Sequence, residues 1–90
     1  LSKEEREAAV ILSRSLAKGK SLIEAGERNA GKVTKTIREM LESEPLAKVD
    51  YVEIVDWGNL EPVETINGPI LTAIAVYIGK TRLIDNFIIE

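Results

Sequence analysis

Ile70-Leu71-Thr72-Ala73-Ile74-Ala75-Val76-Tyr77-Ile78 carries no charge, and Gly79-Lys80 breaks it at once. Alternation along a strand puts Ile70, Ile74, Val76 and Ile78 on one side and Leu71, Ala73, Ala75 and Tyr77 on the other. Both sides are apolar, which is the pattern of a strand buried on both faces at the centre of a sheet. Gly79-Lys80 is then a turn, and Arg82–Ile89 is a last strand returning from it. Within Arg82-Leu83-Ile84-Asp85-Asn86 the charged and amide groups stand between apolar residues, where they require partners.

Working upstream, Val49-Asp50-Tyr51-Val52-Glu53-Ile54-Val55-Asp56 is rich in β-branched and aromatic residues and reads as a strand. Trp57-Gly58-Asn59 is a turn, Leu60 to Ile66 a connecting segment containing Pro62, and Asn67-Gly68-Pro69 a second turn. Before Pro45 the period is helical. Ser2-Lys3-Glu4-Glu5 is a capping box, with Glu4 and Glu7 suited to the positive end of the helix dipole. Ala9, Leu12, Leu16 and Ile23 form one face of the first helix; Gly19 on that face implies a close neighbour, and Gly26 ends the helix. Asn29 caps a second helix with Val33, Ile37, Met40 and Leu41 as its stripe, and Pro45 stops it. A connection of about four residues joins the helices into a hairpin.

The predicted fold is α+β: a two-helix hairpin followed by a small three-stranded antiparallel sheet, ααβββ, with the helices on one face. Two helices cover only one face of such a sheet, yet the central strand is apolar on both. The uncovered face is expected to meet a partner, so the chain reads as part of something larger.

Ninety residues form one domain with a modest core, 44% apolar and 30% charged. The net charge of -3, with basic residues scattered among acids, argues against nucleic-acid binding. No apolar stretch approaches the ~20 residues of a membrane span, and no signal-peptide pattern is present, so a cytoplasmic location is expected. The sequence has neither cysteine nor histidine. Disulfides, thiolate zinc sites and His-dependent triads are therefore excluded.

Two patterns imitate chemistry. Gly26-Glu27-Arg28-Asn29-Ala30-Gly31-Lys32-Val33 nearly matches a phosphate-binding loop, but Val33 stands where a magnesium-binding hydroxyl is needed and a helix, not a strand, precedes it. Gly19-Lys20-Ser21 is weaker still, because the segment is helical. Asp50, Glu53, Asp56 and Asp85 are read as solvated surface, since alternation sets Asp50 and Asp56 opposite Glu53 and no calcium-loop spacing occurs. Arg82 with Asp85 reads as a structural ion pair at a sheet edge, or as a contact to another domain. Trp57 beside Gly58 reads as a turn aromatic packing on the sheet edge rather than a base-stacking platform.

Three segments in order resemble the C-terminal domain of the pantoate–β-alanine ligase (pantothenate synthetase) family. They are Leu1-Ser2-x-Glu4-Glu5-Arg6 leading to Ser13-Arg14-Ser15-Leu16; Ala25-Gly26-Glu27-Arg28 with Asp50-Tyr51-Val52-Glu53-Ile54-Val55-Asp56 and Leu60-Glu61-Pro62; and Gly79-x-Thr81-Arg82-Leu83-Ile84-Asp85-Asn86. Together they cover nearly the whole chain. The resemblance implies an enzyme joining pantoate to β-alanine with ATP and Mg²⁺ through a pantoyl-adenylate, releasing AMP and pyrophosphate. It places that chemistry in an N-terminal Rossmann-like domain, with an H-x-G-H motif and an M-S-S-R-N-like loop ending just before Leu1.

On that reading residues 1–90 are a single C-terminal lid domain, and no residue here is assigned a catalytic, cofactor-binding or metal-binding role. The lid would exclude water from the adenylate, with the uncovered sheet face and the Arg82–Asn86 segment turned toward the N-terminal domain. The intact enzyme is expected to be a homodimer. Two other readings are a stand-alone protein-interaction module with no enzymatic role and a small nucleic-acid-binding module, the latter disfavoured by the acidic charge.

Overall fold

A computed structural model describes residues 2–90. Leu1, which opens the first quoted segment, lies outside the described residues. Helix α1 spans Lys3–Glu24 and helix α2 spans Ala30–Glu42, followed by strands β1 (Ala47–Asp56), β2 (Ile70–Ile78) and β3 (Thr81–Ile89). The sheet is antiparallel in the order β1-β2-β3, so β2 is central. The expected ααβββ layout is the observed one.

The helix ends follow from their capping residues. Ser2 and Glu5 form the capping box: the Glu5 N–H donates to Ser2 Oγ at 3.1 Å and the Ser2 N–H to Glu5 Oε1 at 3.1 Å. At the other end Gly26 takes φ 110°, and the Gly26 and Glu27 amides donate to the carbonyls of Ile23 and Leu22. That pair of bonds is a Schellman motif, which a left-handed glycine makes accessible. Arg28 adds a guanidinium donor to the Ile23 carbonyl at 2.8 Å. Asn29 then caps α2 by accepting from the Lys32 amide at 3.1 Å.

The core lies between the helices and one face of the sheet. Leu12, Leu16 and Ile23 of α1 and Val33, Ile37 and Leu41 of α2 are buried with Ile54 of β1 and Ile70, Ile74, Val76 and Ile78 of β2. Gly19 is buried in this seam: a Cβ there would stand 2.6 Å from Ile37 Cδ1. The α1 stripe runs through Ala8 and Ser15 and only brushes Ala9, because Ala8, Leu12 and Ser15 keep the three- and four-residue spacing of a single face.

Three differences from the sequence reading have physical causes. Strands β1 and β3 begin earlier than expected, at Ala47 and Thr81, because cross-strand pairing with Ile78 extends both ladders to the end of β2. A β-bulge lies between Val49 and Tyr51, leaving Asp50 without a partner on β2. Finally, the Leu60–Ile66 connection is anchored. The Asp56 and Val63 amides donate to the carbonyls of Glu61 and Ile54, along the outer edge of β1. Ala30 and Ile66 bond to Glu64 and Arg28, and Ile66 is buried in the core.

Candidate functional surface

Strand register sorts the sheet residues onto two faces. Opposite the helices lie Lys48, Tyr51, Glu53 and Val55 of β1, Leu71, Ala73, Ala75 and Tyr77 of β2, and Arg82, Ile84, Asn86 and Ile88 of β3. Among the described residues no element covers this face. Ile84 is 58% exposed, Ile88 39% and Tyr77 38%. Small alanines occupy its middle. Ala75 is fully buried without belonging to the helix-side core, so larger neighbours on its own face enclose it.

One end of the open face is polar. Arg82 donates from Nε and Nη2 to the same Asp50 oxygen, at 3.1 and 2.9 Å, and its guanidinium carbon stands 5.9 Å from the centre of the Tyr51 ring. The hydrogen bonds to Asp50 hold the Arg82 guanidinium above its ordinary value. The other end is apolar. Val55, Leu71 and Ile88 line up across the three strands, and the exposed side chains of Trp57 and Leu60 stand in the turn that follows β1. Asp56 shapes that turn by accepting from the Gly58 and Asn59 amides at 2.7 and 3.1 Å. Leu60 adopts φ 61°, a region that leucine avoids.

The bulge also redistributes the charged residues singled out from the sequence. With one extra residue at position 50, the Asp50 carboxylate reaches the open face and shares it with Glu53, rather than opposing it. Arg82 therefore pairs with Asp50 and not with Asp85. Asp85 sits opposite Ile74, on the helix side, and its Oδ1 accepts from the Asn86 amide at 2.8 Å. No spacing rule reveals a pair separated by 32 positions; only the cross-strand register does. The open face itself was legible from the two-sided apolar pattern of β2.

The phosphate-loop imitation resolves into the α1 cap and the first turn of α2. Beside it lies a cleft of about 540 Å³ lined by Asn29, Gly31, Thr34, Glu53, Glu64 and Thr65 among others. No lysine or arginine lines it to meet a phosphate, and the Asn29 side chain already accepts from the Lys32 amide. Among the described residues no three His, Cys, Asp or Glu side chains converge on a possible metal position, and no helix is long and apolar enough to cross a membrane.

Comparison with known proteins places this fold. A family model described as pantoate-beta-alanine ligase matches residues 1–88. Pantothenate synthetase of Clostridium novyi (strain NT) is 54% identical over 90 residues, which is all of this chain and 32% of that protein. The enzyme of the same name from Heliobacterium modesticaldum is 52% identical over the same span and share. A crystal structure of pantothenate synthetase from Thermus thermophilus superposes with a TM-score of 0.87 at 28% identity, covering 97% of this chain and 31% of that one. The chain thus spans about a third of the length of the curated relatives it matches. A match across nearly the entire sequence, with the two-helix, three-strand fold reproduced in a solved relative, means that this chain belongs to the pantoate–β-alanine ligase family.

Proposed function

We propose that residues 1–90 act as the C-terminal lid domain of an ATP-dependent ligase that condenses pantoate with β-alanine through a pantoyl-adenylate, releasing AMP and pyrophosphate. The observation that carries this reading is a family match over the whole chain in a segment that is a third of its relatives and lacks every imidazole and thiol. An acyl-adenylate is a mixed anhydride open to attack by water, so a domain that closes over it protects the intermediate without touching it chemically.

The acidic side chains here do not gather into a site for Mg²⁺. Asp50 is engaged by Arg82 and Asp56 by two backbone amides, and among the described residues no acidic cluster converges. ATP and Mg²⁺ would be held by an N-terminal catalytic domain, which is also the partner of this one. The intact ligase would be a cytoplasmic homodimer.

Two measurements test the assignment. Residues 1–90 alone, given ATP, Mg²⁺, pantoate and β-alanine, should form neither AMP nor pantothenate; turnover by this segment would overturn the reading. A full-length ligase stripped of this segment should release AMP in excess of pantothenate, because the adenylate is lost to water. AMP and pantothenate formed in equal amounts would show that the segment is not a cover.

A further inference from the structure

We propose that Asn67 is a site of spontaneous deamidation, where the side-chain amide is lost through a cyclic imide and an aspartyl or isoaspartyl residue takes its place. Asn67 and Gly68 lie in the exposed turn between the buried Ile66 and the start of β2 at Ile70. Among the described residues no hydrogen bond engages the Gly68 amide or the Asn67 carboxamide. The space around Gly68 is open, since a Cβ built there meets nothing within 4 Å. Nucleophile and target are thus adjacent, solvated and free to meet.

The Gly68 nitrogen attacks Asn67 Cγ. A bond forms between them, and the bond from Cγ to the side-chain nitrogen breaks. Ammonia leaves with the proton that the Gly68 amide gives up, and the imide remains. Solvent water then opens the imide. Cleavage at Cγ leaves an ordinary aspartate, whereas cleavage at the main-chain carbonyl routes the backbone through Cγ as isoaspartate. Nothing is oxidised or reduced.

The other three asparagines are also exposed, so exposure alone does not select position 67. After Asn29 the Ala30 amide is bonded to the Glu64 carbonyl at 3.0 Å, and Asn29 Oδ1 accepts from the Lys32 amide. After Asn59 the Leu60 amide donates to the Asp56 carbonyl at 2.8 Å, while Asn59 Oδ1 accepts from the Glu61 amide at 2.9 Å. Asn86 stands inside β3, where pairing of Asn86 and Phe87 with Ala73 and Thr72 fixes the backbone. In each case the attacking nitrogen is held, and a residue bulkier than glycine carries it. At position 67 the product carboxylate would enter the cleft of about 440 Å³ that Asn67 and Gly68 line with Arg28 and Glu90. The chain would then be one charge more negative than its formal -3.

Peptide mass spectrometry of the full-length protein, incubated for days in neutral buffer, tests this. Position 67 should convert at least about tenfold faster than positions 29, 59 and 86, because rate follows the freedom to reach attack geometry. Two products of equal mass are expected, distinguished by a protease that cuts before aspartate but not before isoaspartate. Gly68→Ala adds a methyl to open space at a φ outside the left-handed region, so it should keep the fold and slow the conversion severalfold. Conversion at position 67 no faster than at the other three, or an undiminished rate in Gly68→Ala, would overturn the proposal. So would aspartate formed without isoaspartate, which would mean direct hydrolysis of the amide. Conversion in urea but not in the native protein would overturn it too, since the fold would then hold Asn67 away from the Gly68 nitrogen.

Discussion

The hydroxyl of Thr72 lies on the helix-covered side of β2, fully enclosed and without a hydrogen-bond partner among the described residues. A buried, unpaired hydroxyl costs stability that an isosteric methyl does not. Thr72→Val is therefore expected to stabilise the domain by about 1 kcal/mol. The check is a higher urea midpoint at unchanged slope. Ser15 is equally buried but needs no such relief, because its Oγ donates to the Leu12 carbonyl at 2.9 Å. The sequence does not tell which of the two needs relief: both are small hydroxylated residues on otherwise apolar faces, and only the packed backbone decides which oxygen finds an acceptor. Arg82 teaches the same lesson: its partner depended on an irregularity in another strand, and at 41% side-chain exposure the pair is a surface one rather than the buried group its neighbours in sequence suggested.

Helix ends and the helix seam were readable because their signals are local. Ser2, Gly26 and Asn29 each act within a few residues of themselves, through hydrogen bonds that short-range spacing determines. The seam gives a sharper prediction. Gly19→Ala would ordinarily favour a helix by about 1 kcal/mol, but its Cβ would fall 2.6 and 3.0 Å from Ile37 Cδ1 and Cγ1, and Ile37 is completely enclosed. Overpacking wins, and a net loss of about 1 kcal/mol or more is expected. Shortening the neighbour should recover part of it, so Gly19→Ala with Ile37→Val should lose less than the sum of the single changes in a thermal-unfolding cycle. The capping box adds a pH dependence. Hydrogen bonds from the Ser2 backbone and hydroxyl hold the Glu5 carboxyl below its ordinary value of 4.5. A depressed carboxyl contributes stability above its unfolded value and loses it as pH falls through the folded one. The advantage of the native protein over Glu5→Gln should therefore shrink on acidification below about pH 4.5; an advantage independent of pH would refute the link.

At the scale of the whole molecule, two layers were legible and the third surface was legible only as a gap. The apolar content of β2 on both sides exceeded what two helices can cover, which foretold an open face without its composition. The anchoring of Ile66 and the run of the connection along the β1 edge left no comparable trace, because they rest on backbone bonds between segments distant in sequence. The bulge has one more consequence. On either side of it, Val49 pairs with Val76 and Tyr51 with the next residue, Ala75, so removing Asp50 would leave an unbroken ladder with every other side chain on its present side. A chain shortened by that single residue should keep its far-ultraviolet circular dichroism and cooperative unfolding, and a molten product would contradict this register. What such a deletion alters is the hold on one guanidinium, because Arg82 would lose the oxygen that accepts both of its hydrogen bonds.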